Sequence, residues 1–369
     1  MQFGLQFFPD VTPQQKPARD YFRDSLDIAA EADQLGFTHV RTVEHYFQSY
    51  GGYSPNPIVF LSAASQRTRN VRLVTGAVLP VFNNPLKLAG EIGMLDAISG
   101  GRLDVGFARA FLPHEFRRFG ISPHESVARF REGLEQVELL LTQENVTHRG
   151  RFHTIESTTS LPRPTQLPRP KFYIAAVATA ESFEFAGRMG HSVMGIPLAG
   201  GKMRELIAAY RTARREAGHP GEGEVMFAFH MFCHEDARKA RELARIPFTN
   251  YLGSLVDSAS AWTDGLSSAD YPGYDKIIAG LKASSMENQI ESGGAWIGSP
   301  DEIVATIRRM QANVPFEQAS LQVNFNIIAH AEALRSLRLF ASEVMPHFTA
   351  EPQVGCPASV AGMSAATSG

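Results

Sequence analysis

Short β-type runs alternate with helical patterns along most of this chain, and only a few folds accept that order. Strand candidates fall at residues 3–8, 38–43, 72–79, 103–107, 172–177, 192–196, 225–232 and 320–324. Between them apolar residues recur at three- and four-residue steps, as in Phe22, Leu26, Ala29 and Ala30 or in Phe130, Leu134, Val137 and Leu141. Each such helix has one apolar stripe to lay against a sheet. Leu334, Leu337, Ala341 and Val344 form the last of these stripes. Eight strand-and-helix units with no hairpin reversal predict an α/β fold, a closed (β/α)8 TIM barrel rather than an open doubly wound sheet. With 369 residues, 44% of them hydrophobic, the chain can bury one barrel-sized core, and a single domain over 1–350 is expected.

The alternation breaks over 249–298, where Gly, Ser, Asp and Tyr dominate around Trp262 and Trp296. A connection that long is a lid, a binding loop or an insertion. Its place before the last strand lets it reach the barrel mouth, so a mobile active-site lid is expected. Residues 351–369, mostly small or polar, have little to bury and read as a disordered tail containing Cys356. A net charge of −3 with scattered Lys and Arg speaks against nucleic acid or an anionic membrane as partner. No apolar run reaches the ~20 residues of a membrane span, and no basic-then-apolar leader is present, so the cytoplasm is expected. There is no GxGxxG after a strand, no P-loop and no HExxH, which leaves a nicotinamide domain, an NTP site and a metal site unsupported.

In a (β/α)8 barrel the chemistry sits on loops leaving the carboxyl ends of the strands. His45 qualifies, because the second strand candidate runs out into Glu44-His45-Tyr46-Phe47-Gln48-Ser49-Tyr50-Gly51-Gly52. An imidazole there has the intrinsic pKa for acid–base work near neutrality, or it is simply satisfied by its loop neighbours. Arg109 follows the fourth strand, and its guanidinium suits bidentate phosphate recognition or a surface ion pair with Glu115 or Asp104. Ala178-Thr179-Ala180-Glu181-Ser182 opens a helix after the fifth strand, which makes Thr179 a plain N-cap or part of an anion site. Thr75-Gly76 sits inside the third strand, where Gly marks a bulge or a close approach of backbone to a ligand.

These stretches, with Gly100-Gly101-Arg102-Leu103-Asp104-Val105-Gly106-Phe107-Ala108-Arg109, resemble the bacterial-luciferase-like flavin monooxygenases, and the resemblance runs from Met1 to Phe348. It implies reduced FMN as cosubstrate, O2 as oxidant, and a separate NAD(P)H:flavin reductase as partner. His45, with Glu44 beside it, would occupy the family's catalytic position. Arg109, Thr179 and Ser182 would hold the FMN phosphate with the backbone of Ala178, Glu115 would lie near the flavin, and the Thr75-Gly76 backbone would support the ring. Tyr46 stands where the luciferase pattern has a second His, and Ala108 where it has a reactive cysteine, so light emission is not implied. A lining drawn from Phe7, Phe8, Phe47, Tyr50, Phe111, Trp262 and Trp296 would keep water away from the oxygen chemistry. Few arginines stand at strand ends, so an uncharged organic substrate is expected. The same resemblance admits a deazaflavin-dependent hydride-transfer oxidoreductase, or a non-catalytic flavin-binding subunit. It also implies a homodimer through the helices near 57–68 and 85–98.

Overall fold

The computed structural model of the chain describes residues 1–198 and 200–349. Its strands are β1 (Gln2–Phe7), β2 (His39–Thr42), β3 (Arg72–Val78), β4 (Leu103–Phe107), β5 (Val146–Arg149), β6 (Thr154–Thr158), β7 (Lys171–Ala175), β8 (Ser192–Gly195), β9 (Val225–Cys233), β10 (Ala295–Gly298) and β11 (Gln318–Gln322). Its helices are α1 (Ala18–Gln34), α2 (Pro57–Arg67), α3 (Pro85–Ile98), α4 (Pro113–Phe119), α5 (Ser126–Thr142), α6 (Ala180–Arg188), α7 (Met203–Glu216), α8 (Ala237–Ala259), α9 (Tyr274–Lys282), α10 (Met286–Ser292), α11 (Pro300–Asn313) and α12 (His330–Glu343). Strands β1, β2, β3, β4, β7, β8, β9 and β11 pair in parallel in that order, and β11 pairs back onto β1. The result is a closed eight-stranded TIM barrel, and its staves are the eight predicted strands. The β5–β6 hairpin and β10, which pairs with the carboxyl half of β9 from Ala295↔His230 to Gly298↔Cys233, are additions to that prediction.

Local chemistry explains where the outer helices begin. Asn56, Asn84 and Ser299 each precede a proline, and each side-chain oxygen accepts a first-turn amide, from Ile58 and Val59, from Leu86 and from Glu302. Proline at the first helical position needs no acceptor, so the pair sets a firm start. The stripe on α5 is buried as predicted. On α1 the inward face is Tyr21, Ser25, Ile28, Ala29 and Ala32, with Phe22 and Leu26 only partly covered. The helix is turned because Ser25 is drawn inward, where it accepts from Asn324 Nδ2 (3.1 Å). A small apolar cluster of Val74, Ala77, Tyr173, Met194 and Met226, contributed by β3, β7, β8 and β9, fills the barrel interior apart from the main core.

Residues 249–298 are not an irregular loop. They hold the end of α8, then α9, α10 and β10, and the composition misled because Ser285 and Asn288 form a capping box rather than loop chemistry. Trp296 is wholly buried on β10 and stacks on Phe229 at 4.2 Å. The expected tail at 351–369, with Cys356, lies outside the described residues. Among those described, no helix is long and apolar enough to cross a membrane. Because Trp296 is a core residue, Trp296→Ala is expected to cost about 3–5 kcal/mol in denaturant unfolding. A loss below about 1 kcal/mol would return it to a loop role.

Candidate active site

Because all eight staves are parallel, their carboxyl ends open into one mouth, and a cavity of about 1290 Å³, its open entrance included, occupies it. Strand ends supply the floor and walls: Gln6, Arg41, Gly76, Ala175 and Met194 below, His45, Phe111, Thr179 and Leu198 around. The roof is Tyr251 and Leu255 of α8 with Tyr274, Ile277, Ile278 and Leu281 of α9. So the 249–298 segment does cover the mouth, as helices. It is tied down on β4's loop: Trp262 Nε1 donates to Phe111 O (2.8 Å), Tyr271 Oη to Ala110 O (2.9 Å) and Arg109 Nη1 to Asp270 O (2.8 Å).

His45 lines the cavity, ringed by Phe8, Tyr50 and Phe111 at centroid distances of 5.6–5.8 Å. Its Nδ1 lies 3.1 Å from Glu115 Oε1, and the same oxygen accepts from Tyr46 N (2.8 Å). Glu115, expected beside the flavin, is instead fully buried beneath His45 and off the cavity wall. Its geometry fixes the imidazole and leaves Nε2 for a ligand. The loop must pass very close: a Cβ at Gly51, whose φ is +79°, would sit 2.6 Å from His45 Cβ. Glu44 faces the cavity edge but is bound by the protein, accepting from Tyr46 Oη (2.5 Å), Asn83 Nδ2 (2.8 Å) and Leu79 N (3.0 Å). Burial pushes its carboxyl up to about 7.

At the other end Arg109 borders both this cavity and a smaller one it shares with Arg131, Ser182 and Phe185. Thr179 occupies the N-cap position of α6 without capping it; its hydroxyl pairs with Ser182 Oγ (2.8 Å). The first-turn amides therefore have no side-chain cap. Ala178 lies on the cavity wall. Arg131, paired with Glu181, is a residue sequence reasoning missed, since nothing on an outer helix marks it until α5 and α6 pack. Two arginines, two hydroxyls and a helix start supply donors for a terminal phosphate, with the Glu181 carboxylate, held by Arg131, on the same wall.

Gly76 reaches the cavity and is joined to Ala77 by a cis peptide, with a register shift between Thr75 and Val78. Thr75 is wholly buried away from the cavity and binds both Gly106 N (2.8 Å) and Gly106 O (3.0 Å). Of the expected aromatic lining, Phe8, Tyr50 and Phe111 are on the wall. Phe7 packs on Phe60 in the core, Phe47 is exposed, and Trp262 and Trp296 brace the roof and the barrel. Arg41 was also missed, and it removes the ground for an uncharged substrate, because it is an arginine in the cavity itself. Its signal was a charged residue in the middle of a strand candidate of a parallel sheet, where both faces are buried. No cluster of three or more metal-type ligands occurs among the described residues.

Residues 1–315 match the family model of the luciferase-like monooxygenases, and the chain belongs to that family. It is 28% identical over 356 residues to the oxygenase component of a flavin-dependent trigonelline monooxygenase of Acinetobacter baylyi, covering 95% of this chain and 96% of that one. A monooxygenase structure from Streptomyces bottropensis superposes with a TM-score of 0.85 at 41% identity, covering 95% of this chain and all of the other. An F420-dependent secondary alcohol dehydrogenase shares the fold at a TM-score of 0.71 and 19% identity, with 94% and 98% covered.

Glu44 has a measurable signature. Its folded pKa lies above the ordinary 4.5, so it contributes stability present below that value and lost as pH rises toward about 7. Glu44→Gln should flatten the decline in stability over that window, as read by denaturant midpoints at several pH values. An unchanged slope would show that the carboxyl does not hold its proton there.

Proposed function

We propose that this protein is the oxygenase of a two-component flavin-dependent monooxygenase: it takes reduced FMN from a separate NAD(P)H:flavin reductase and uses O2 to oxygenate a small organic molecule. The observation that carries the reading is one cavity with a phosphate-type site at one end and a carboxylate-held histidine at the other. When bound, the reduced flavin supplies the electrons that activate oxygen. The chain's own residues bind, orient and shield. Arg109, Arg131, Thr179 and Ser182 would hold the phosphate, and the Gly76–Ala77 backbone would give the ring a surface with no side chain larger than a methyl. His45, its Nδ1 held at Glu115, would present Nε2 to the cavity as a proton donor or acceptor. Phe8, Phe111, Leu255 and Ile278 exclude water, which otherwise drains the activated oxygen.

The relative named above as a flavin-dependent oxygenase component is matched over almost its whole length, which favours FMN over a deazaflavin. A retained His45–Glu115 pair favours an enzyme over a silent flavin-binding subunit. The reductase partner draws on NAD(P)H, which suits a cytoplasmic enzyme. Val59 on α2 and Leu86, Met94 and Ile98 on α3 stand exposed on adjoining helices, and we assign that face to a homodimer.

The test is anaerobic titration with reduced FMN, with the deazaflavin in parallel, followed by oxygen and product analysis. His45→Asn should cut oxygenation about 100-fold or more with FMN affinity nearly unchanged, while Arg109→Met should weaken FMN binding about 10- to 100-fold. Binding of the deazaflavin alone would reverse the assignment. Met94→Glu should shift sedimentation from dimer to monomer; a monomeric wild type would remove the dimer.

A further inference from the structure

Arg41 stands alone in this cavity. It lies on β2, it is 5% exposed, and its Nε and Nη1 have no hydrogen-bond acceptor among the described residues. Its one hydrogen bond among the described residues is long, Nη2 to Gly76 O at 3.5 Å. Neither carboxylate beside His45 bonds Arg41: Glu44 accepts from Tyr46, Asn83 and Leu79, and Glu115 engages His45 and Tyr46 through Oε1. The contrast with Arg72, one strand over, is direct: Arg72 meets Asp104 with two bonds of 2.7 and 2.6 Å. An unpaired buried guanidinium destabilises a fold, so its retention needs another source of compensation. Burial lowers its pKa to about 10, with Tyr251 and Tyr173 opposing the shift, so it remains charged at neutral pH.

The wall beside it is arranged to match. Arg41 pairs in register with Gln6 on β1, which puts both side chains on one face about 5 Å apart. Gln6 Oε1 is likewise buried without a partner. Gly76 lies against the arginine stem, and a Cβ there would sit 2.2 Å from Arg41 Nε. The cavity thus offers a planar donor fork next to a lone acceptor, in otherwise apolar surroundings.

We propose that Arg41, with Gln6, is the anion-recognising element of this cavity, receiving a planar anion whose charge is shared by two acceptor atoms and which carries a hydrogen-bond donor alongside. Two ligands have that edge: a substrate bearing a carboxylate or a 1,3-dicarbonyl enolate with a hydroxyl or amide beside it, and the pyrimidine edge of a reduced, negatively charged flavin. Both present the same chemistry to the guanidinium. The inference rests on this cavity being the ligand site of the proposed oxygenase, but one arm of its test needs no flavin.

In the first arm, benzoate and its neutral isostere benzamide are titrated calorimetrically into the full-length protein, Arg41→Met and Arg41→Lys at neutral pH. In the second, oxidised and reduced FMN are titrated anaerobically into the same three proteins. The expected result is a preference for the anionic member of at least one pair, falling about 10- to 100-fold in Arg41→Met and partly kept in Arg41→Lys. Loss confined to the benzoate pair assigns the anion to the substrate, and loss confined to the FMN pair assigns it to the ring. Arg41→Met should also melt no lower than wild type, since it removes an uncompensated charge. Ratios unchanged by Arg41→Met in both arms overturn the proposal, and a lowered melting temperature beside unchanged ratios assigns Arg41 to the scaffold. Failure of FMN to bind at all, with the benzoate preference intact and lost in Arg41→Met, would sink the flavin reading and leave this one standing.

Discussion

Val225, Met226 and Phe227 of β9 continue the register to β8 while Met226 to His230 pair with β11, so β9 closes the ring of eight staves. A parallel strand must have its peptide groups met on both sides, and closure supplies this without an exposed edge. The length of β9 matters, because its last four residues are left to carry β10 and, through it, the helices that roof the mouth. Closure also aims every strand's carboxyl end the same way. Residues from Gln6 to Leu198, far apart along the chain, meet in one cavity for that reason.

Within that cavity the polar groups fall into those the protein satisfies and those it does not. Glu44 is engaged on both oxygens and Glu115 on Oε1 only, and together they tie the loop after β2 to the loops after β3 and β4. His45 is engaged on one nitrogen only. Arg41 and Gln6 are scarcely engaged at all. Buried polar groups without partners lower stability, and a fold keeps them where a ligand completes them.

The eight staves were legible because parallel strands buried on both faces read as apolar runs, and the helix starts because Asn-Pro and Ser-Pro pairs cap in place. β10 was not legible, since Ala295–Gly298 is short and sits in a segment dominated by Gly and Ser. The hairpin β5–β6 was missed because its exposed faces carry Thr, His, Arg and Glu, with Val146 and Ile155 as its buried anchors. In the site, residues at strand ends could be named from position alone, as His45, Arg109 and Thr179 were. Their partners could not: Glu115 reaches His45 across 70 positions, and Arg131 meets the α6 start only when two outer helices pack.

Taken alone, the order of residues determined that this chain makes alternating strands and helices, where most of them begin, and which polar groups stand at strand ends. Those are short-range matters of periodicity and capping. The tertiary structure decided which way each side chain turns and what it finds there. It put Glu115 behind the histidine rather than beside a ligand, turned a Gly- and Ser-rich stretch into a helical roof, and left Arg41 facing an apolar cavity with no carboxylate to meet it. Those outcomes depend on contacts between residues tens to hundreds of positions apart, which only closure of the barrel brings within a few ångströms.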